Sequence, residues 1–187
     1  MTRPRLIGLY ASAPRSGKST VANYLNRQFG YEIVPFAQTL KRMVRPLLVN
    51  CGYSEEEIID MEASDKLMTV RGLGVTLRHL YQTLGTDWGR KMVNENLWTI
   101  VWRQKVATLL AESDGYVVVD DVRFENEARE VRGFGGEMWR IFRHPVTPGA
   151  HVSEGGLENY RFDRLIYNYG SIEELLNRSC PNKPLTP

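Results

Sequence analysis

The sequence predicts an α/β domain built on a mainly parallel sheet, and three observations carry that expectation. Five short apolar stretches read as strands, and patterns of helical period separate most of them. The strongest, Tyr116-Val117-Val118-Val119, is continuous and β-branched, too apolar for an edge with one wet face. Such runs suit a parallel sheet covered on both sides. A stretch rich in small and hydroxyl residues, Ser12 to Thr20, fills the turn between the first strand and the first helix. Open α/β sheets bind their ligands at that carboxyl edge.

The elements follow in order. Leu6-Ile7-Gly8-Leu9-Tyr10 is the first strand, and Val21, Leu25 and Phe29 form the apolar stripe of a helix from Lys18 to Gln28. Gly30 stands where that helix stops. Glu32-Ile33-Val34 is a second, short strand ended by Pro35. Ala37, Leu40, Met43, Val44, Leu47 and Leu48 keep helical spacing, and Pro46 is expected to kink or end that helix. Ser54 and Glu57 make a capping box for a helix through Ile58, Ile59 and Met61. Val70 to Val75 is a glycine-rich loop. Thr76 caps a helix carrying Leu77, Leu80, Tyr81 and Leu84, with Gly85 as its expected stop and Asp87 as the cap of another. Trp98, Val101, Trp102, Val106 and Leu109 then continue in helical register to Leu110, where the two indoles read as core rather than as base-stacking platforms. After the Tyr116–Val119 strand come a helix from Asn126 to Arg132 and a strand from Met138 to Phe142. A loop from Arg143 to Arg161, a last strand at Leu165-Ile166-Tyr167 and a helix capped by Ser171 and Glu174 complete the order.

Composition narrows the function classes. With 24 Lys and Arg against 22 Asp and Glu, the formal charge is +2 and no basic tract forms, so a nucleic acid polymer is not an expected partner. Hydrophobic residues at 42% and charged residues at 25% are ordinary globular values and argue against a disordered chain. No apolar run approaches the roughly 18–20 residues of a membrane span. The short apolar stretch behind Met-Thr-Arg-Pro-Arg is too brief for a signal-peptide core. Cys51 and Cys180 have no metal-like spacing and read as thiols in a reducing compartment, while His79, His144 and His151 form no zinc pattern. A single cytoplasmic domain over 1–180, with a flexible tail at 181–187, is the expectation.

Ser12-Ala13-Pro14-Arg15-Ser16-Gly17-Lys18-Ser19-Thr20 matches the phosphate-loop pattern GxxxxGK[ST] at Gly17, Lys18 and Ser19. Backbone N–H groups at a helix N-terminus hold polyphosphate oxygens there, with the helix dipole behind them. Lys18 supplies a mobile positive charge, and the Ser19 hydroxyl can ligate Mg²⁺. Ser12 stands where the first glycine belongs, and serine tolerates positive φ poorly, so the first bend is where this loop is expected to differ. At the end of the strongest strand, Asp120 and Asp121 are joint candidates for the metal, one of them being expected to cap the following turn.

Four segments in this order, Arg15-Ser16-Gly17-Lys18, Gln82-Thr83-Leu84-Gly85-Thr86, Asp121-Val122-Arg123-Phe124-Glu125-Asn126-Glu127 and His151-Val152-Ser153-Glu154, resemble the deoxynucleoside monophosphate kinases of tailed phages. The similarity spans Leu6 to Leu176. It implies an adenylate-kinase-like P-loop NTPase fold: a five-stranded parallel sheet flanked by helices, an acceptor-binding helical section at 36–112 and a lid at 143–161. It also implies transfer of the ATP γ-phosphate to a deoxynucleoside monophosphate, with Mg²⁺. Asn126, Glu127, His151, Ser153 and Glu154 then join the acceptor set, and Asn168 would contact the adenine of the donor or simply form a turn.

Charge counting agrees with that chemistry. ATP facing a monophosphate gathers about six negative charges, which need cations from several parts of the chain. Arg15 and Lys18 after the first strand, Arg123 after the Tyr116–Val119 strand and Arg143 after the Met138–Phe142 strand are the catalytic candidates, with Arg123 the best placed for a bidentate grip on the acceptor phosphate. Arg78 and Gln82 share a helix face, and with Arg90 and Lys41 they suit acceptor binding or are solvated helix charges. Ser12, Ala13, Ser16, Gly17, Ser19 and Thr20 complete the donor cradle. Two alternatives stay open at this point: another P-loop small-molecule kinase, such as a dephospho-coenzyme A kinase, and a nucleotide-dependent binding switch. No residue encodes the oligomeric state, and a homodimer stays open.

Overall fold

A computed structural model describes residues 3–12, 14–63, 67–111, 115–143 and 156–182. The order of elements is β1 (Leu6–Tyr10), α1 (Lys18–Phe29), β2 (Glu32–Ile33), α2 (Gln38–Asn50), α3 (Glu55–Ala63), α4 (Leu77–Gln82), a π-helical segment (Thr83–Val93), α5 (Leu97–Ala111), β3 (Val117–Val119), α6 (Glu125–Gly133), β4 (Glu137–Phe142), β5 (Arg164–Tyr167) and α7 (Ile172–Arg178). The chain divides into two compact units, one of Met1–Phe36 with Trp102–Pro187 and one of Ala37–Val101. The helical section expected at 36–112 is therefore a shorter unit, because the second half of α5 packs on the sheet. There Trp102 stacks on Phe36 with ring centroids 4.4 Å apart, and its indole N–H donates to the Val34 carbonyl at 2.9 Å.

The first unit carries a five-stranded sheet in the order β2-β3-β1-β4-β5, and every adjacent pair is parallel. Side chains of a strand alternate between faces, and β1 divides accordingly. Leu6 and Tyr10 join Val117, Val119 and Met138 in a core closed by Val106 and Val131. Ile7 and Leu9 join Val118, Trp139 and Ile166 in a second core, closed by Leu25 and Leu175. Both faces are buried, as the apolar Val117–Val119 run requires. Because every pair is parallel, the residues following β1, β3, β4 and β5 emerge at one edge of the sheet.

Of the lid expected at 143–161, residues 144–155 lie outside the described residues. At its far end Leu157 is buried. Glu158 takes Arg140 in an ion pair and accepts from the Tyr10 hydroxyl at 3.2 Å. Arg140 is thus committed to holding this segment, with its guanidinium 4.3 Å over the Phe142 ring. Pro181 is buried and the Cys180 carbonyl accepts from Arg164 at 2.6 Å, so the chain is still packed at the start of the expected tail. Residues 183–187 lie outside the described residues.

The helical unit corrects two expectations and narrows a third. Of the two outcomes expected at Pro46, an end to the helix does not occur, since α2 runs to Asn50. An interior proline costs about 3 kcal/mol, whereas burying Leu40, Val44 and Leu48 on one stripe gains about 1.5–3 kcal/mol each. Gly85 does not stop α4, and Asp87 does not open a new helix. The backbone passes directly into the π-helical segment, in which both lie. Gly85 is not in the left-handed region that a stop would use. Trp98 uses the glycines instead: its indole N–H donates to the Gly85 carbonyl at 2.7 Å, and a Cβ on Gly89 would sit 2.7 Å from the indole ring. The capping box at Ser54 and Glu57 forms reciprocally, at 2.7 and 3.2 Å, and the Thr76 hydroxyl accepts from His79 N–H at 3.1 Å.

A half-buried polar cluster ties this unit together. Glu62 accepts from Arg45 Nη2 at 2.9 Å and from the Tyr81 hydroxyl at 2.7 Å. Burial pushes the Glu62 carboxyl up, but the two donors outweigh it and hold it below the usual carboxylate range. Burial, and then the neighbouring carboxylate, raise the Tyr81 phenol. A folded-state carboxyl that is depressed contributes stability above its unfolded value of about 4.3, and that stability is lost as pH falls through the folded value. The melting temperature of wild type should therefore exceed that of Glu62→Gln most clearly near neutrality. The gap should narrow in thermal melts taken progressively below pH 4. A gap that widens on acidification would contradict the assigned ion pair.

Candidate active site

The loop between β1 and α1 turns on two residues of positive φ. Gly17, the N-cap of α1, has φ 104°, and Arg15 has φ 57°, the one such non-glycine among the described residues. Ser12 is not in that region. The serine that departs from the glycine pattern therefore costs nothing in backbone strain, and the bend expected there falls at Arg15. A non-glycine residue in that region costs of order 1–3 kcal/mol and persists where its surroundings impose it.

Those surroundings are two side chains from neighbouring strand ends. Arg143, directly after β4, donates from Nη1 to the Arg15 carbonyl at 2.8 Å. Asn168, directly after β5, donates from Nδ2 to the Ser16 carbonyl at 2.9 Å. A Cβ on Gly17 would lie 2.9 Å from that same Nδ2 and 3.0 Å from Leu175 Cδ2, so glycine is needed for space as well as for φ. Ser16 is buried, and Gly17 offers no side-chain cap. The first-turn N–H groups of a helix have no intrahelical partner. Such groups, with the positive helix end behind them, form the kind of terminus that binds an anion. Lys18 and Ser19 open that helix, and Thr20 follows, exposed, in the same turn. Ala13 lies outside the described residues.

The strand-end acids divide their work. Ser19 Oγ donates to Asp120 Oδ2 at 3.1 Å, while Asp121 Oδ1 accepts from the Phe36 backbone N–H at 2.8 Å and anchors the chain after β2. An octahedral Mg²⁺ with oxygens at about 2.1 Å places adjacent ligands about 3 Å apart. The Ser19 and Asp120 oxygens match that edge; Asp121 is occupied by backbone. Among the described residues no three His, Cys, Asp or Glu side chains cluster as a metal cage.

Arg123 is exposed on the turn after β3. Glu127, expected to touch the acceptor, is buried, and its Oε2 accepts from the backbone N–H of Arg123 at 2.7 Å and of Phe124 at 3.2 Å. Asn126, also buried, accepts the Glu127 N–H at 3.0 Å. Through these hydrogen bonds both residues build the turn that presents Arg123. The Asn168 amide likewise bonds to the backbone, at the Ser16 carbonyl of the loop. No local pattern in the sequence marks that role.

Lys41, Arg78, Gln82 and Arg90 lie in the helical unit. Arg78 and Gln82 stand on one face of α4, Arg90 donates to the Glu95 carbonyl at 3.2 Å, and Lys41 sits half-buried on α2. His151, Ser153 and Glu154 lie outside the described residues.

The sequence profile of the deoxynucleotide monophosphate kinases matches residues 50–179. The chain belongs to this family. The matched stretch contains Asp120, Arg123, Arg143 and Asn168 but not the phosphate loop, so the loop geometry above is a separate observation. Over 187 aligned positions the chain is 30% identical to a putative deoxynucleotide monophosphate kinase of Acanthamoeba polyphaga mimivirus, covering 94% of this chain and 95% of that one. It is 27% identical to the deoxynucleotide monophosphate kinase of Escherichia phage RB69 and 29% to that of Enterobacteria phage T4. Those matches take in 68% and 55% of this chain and 52% and 43% of the phage proteins. Among solved structures, a dephospho-CoA kinase from Campylobacter jejuni superposes with TM-score 0.48 at 17% identity, covering 94% of this chain and 93% of that one. As a member of the family this protein is a nucleotide kinase, an enzyme acting on small-molecule substrates. Among the described residues no helix is long and apolar enough to cross a membrane.

Proposed function

We propose that this kinase transfers the γ-phosphate of ATP to a deoxynucleoside monophosphate, giving a deoxynucleoside diphosphate and ADP. The observation that carries the donor half is the Ser19–Asp120 hydrogen bond at the start of a helix without a side-chain cap, whose loop carbonyls take Arg143 and Asn168 as donors. Family membership supports the acceptor half. Amides of the loop and the Lys18 ammonium hold the β and γ oxygens. Ser19 and Asp120 would hold Mg²⁺, which neutralises charge on those oxygens.

An oxygen of the acceptor phosphate forms the new bond to the γ-phosphorus as the bond to the β-bridging oxygen breaks, and ADP leaves with that electron pair. The acceptor phosphate is already ionised near pH 7, so no base is required. Arg123 grips it through its two-pronged guanidinium. Arg15 and Arg143, beside the loop, supply charge to the transferring group. In the helical unit Lys41, Arg78, Gln82 and Arg90 are each proposed for the acceptor, Gln82 through its amide. The cytoplasm, where ATP and nucleoside monophosphates occur together, is the proposed compartment.

A coupled assay of ADP release tests this across all ribo- and deoxynucleoside monophosphates, with dephospho-coenzyme A included. ADP formation should depend on a deoxynucleoside monophosphate and yield the matching diphosphate. ATP turnover unaffected by any of these acceptors would reject the proposal.

A further inference from the structure

We propose that Asn168 is a positioning residue for the donor phosphates, acting through the backbone of the loop and not on the nucleotide base. The proposal deepens the reading of that loop as the triphosphate cradle and rests on it.

Asn168 is itself held rigidly. Its backbone N–H donates to the Phe142 carbonyl at 2.7 Å, which carries the β4–β5 pairing one residue past the strand, and Arg178 holds the preceding Tyr167 carbonyl at 2.6 Å. With its backbone fixed, the side chain reaches across 152 residues of sequence to the Ser16 carbonyl. A trans peptide is planar, with its carbonyl and N–H pointing in opposite directions. Drawing the Ser16 carbonyl toward the end of β5 therefore aims the Gly17 N–H the other way. Arg143 does the same to the preceding peptide, and so aims the Ser16 N–H.

The sign of φ alternates here, positive at Arg15 and Gly17 but not at the Ser16 between them. Successive amides in residues of alternating hand form an anion-binding concavity. Left to itself, a loop with a left-handed arginine would relax and turn its amides apart. The Asn168 amide opposes that relaxation at the peptide next to the helix. It also fills the space against Gly17, which ties the glycine and the asparagine into one contact.

A base-reading asparagine and a loop-holding asparagine differ in what they do to a ligand without a base. Calorimetric titration of wild type, Asn168→Ala and Asn168→Leu with ATP and with inorganic tripolyphosphate, at equal Mg²⁺, separates them. Both ligands should weaken by the same factor, about tenfold, the scale of one lost hydrogen bond. In kinetics the KM for ATP should rise while the KM for the acceptor stays put. Leucine keeps the volume that alanine removes, so the leucine variant carries the test if the alanine variant melts early. Weaker ATP binding with unchanged tripolyphosphate binding would overturn the proposal in favour of a base contact, and unchanged binding of both would overturn it outright. Lys18→Ala, titrated alongside, isolates the underlying reading. If it binds tripolyphosphate like wild type, the cradle is misassigned and the proposal falls with it; if it alone loses binding, only the role of Asn168 fails.

Discussion

Lys18→Ala is expected to lower kcat about 10²–10³-fold, the scale found when one preorganised donor is removed from a site of developing charge, with a melting temperature close to that of wild type. Lys18 is the first residue of α1, half-buried, and outside both sheet cores. Alanine is the best helix former, so the helix itself loses nothing by the change. On the proposed assignment, what is lost is the ammonium that follows the γ-phosphoryl group as its charge spreads. The loop amides remain and should keep part of the affinity for ATP, so the effect on kcat should exceed that on ATP binding. Single-turnover measurement with the acceptor saturating checks this, and a kcat like that of wild type would place the phosphate site elsewhere.

The second large effect is expected at Arg123. Its turn is held by the Glu127 carboxylate acting on backbone N–H groups, so truncating the side chain leaves the turn in place. Hydrogen bonds to charged groups contribute about 1.5–3 kcal/mol each. Loss of a bidentate grip should therefore lower kcat/KM for the monophosphate about 10²-fold or more. Binding of ATP in the absence of acceptor should be unchanged. Arg123→Lys should recover little, because an ammonium restores the charge without the planar fork. Acceptor kinetics indistinguishable from wild type in Arg123→Ala would assign the residue to structure alone.

How much of this was legible beforehand follows from the range of the interactions involved. The donor loop was legible because strand, loop and helix are consecutive, and the capping boxes because each joins residues three apart. The division of labour between Asp120 and Asp121 was not, since it depends on a backbone N–H 85 residues away at Phe36. The local strain was misjudged for the same reason. Ser12 looked like the awkward residue by pattern, whereas the left-handed residue is Arg15, held there from two other strands. Asn126 and Glu127 were recognised as a motif, but a motif does not say whether its carboxylate faces a ligand or its own backbone.

By itself the amino-acid order determined the α/β class, the phosphate loop, the strand-end carboxylates and the cations placed after successive strands. Those features are periodicities and neighbour relations, and their free energies are settled within a few residues. Tertiary structure alone decided that α2 runs through Pro46, that Gly85 and Gly89 bed an indole instead of ending a helix, and that Asn168 and Arg143 hydrogen-bond to the loop carbonyls. Each of these sets a local preference of a few kcal/mol against burial or hydrogen bonding supplied by distant segments. Only the folded chain brings those segments within reach.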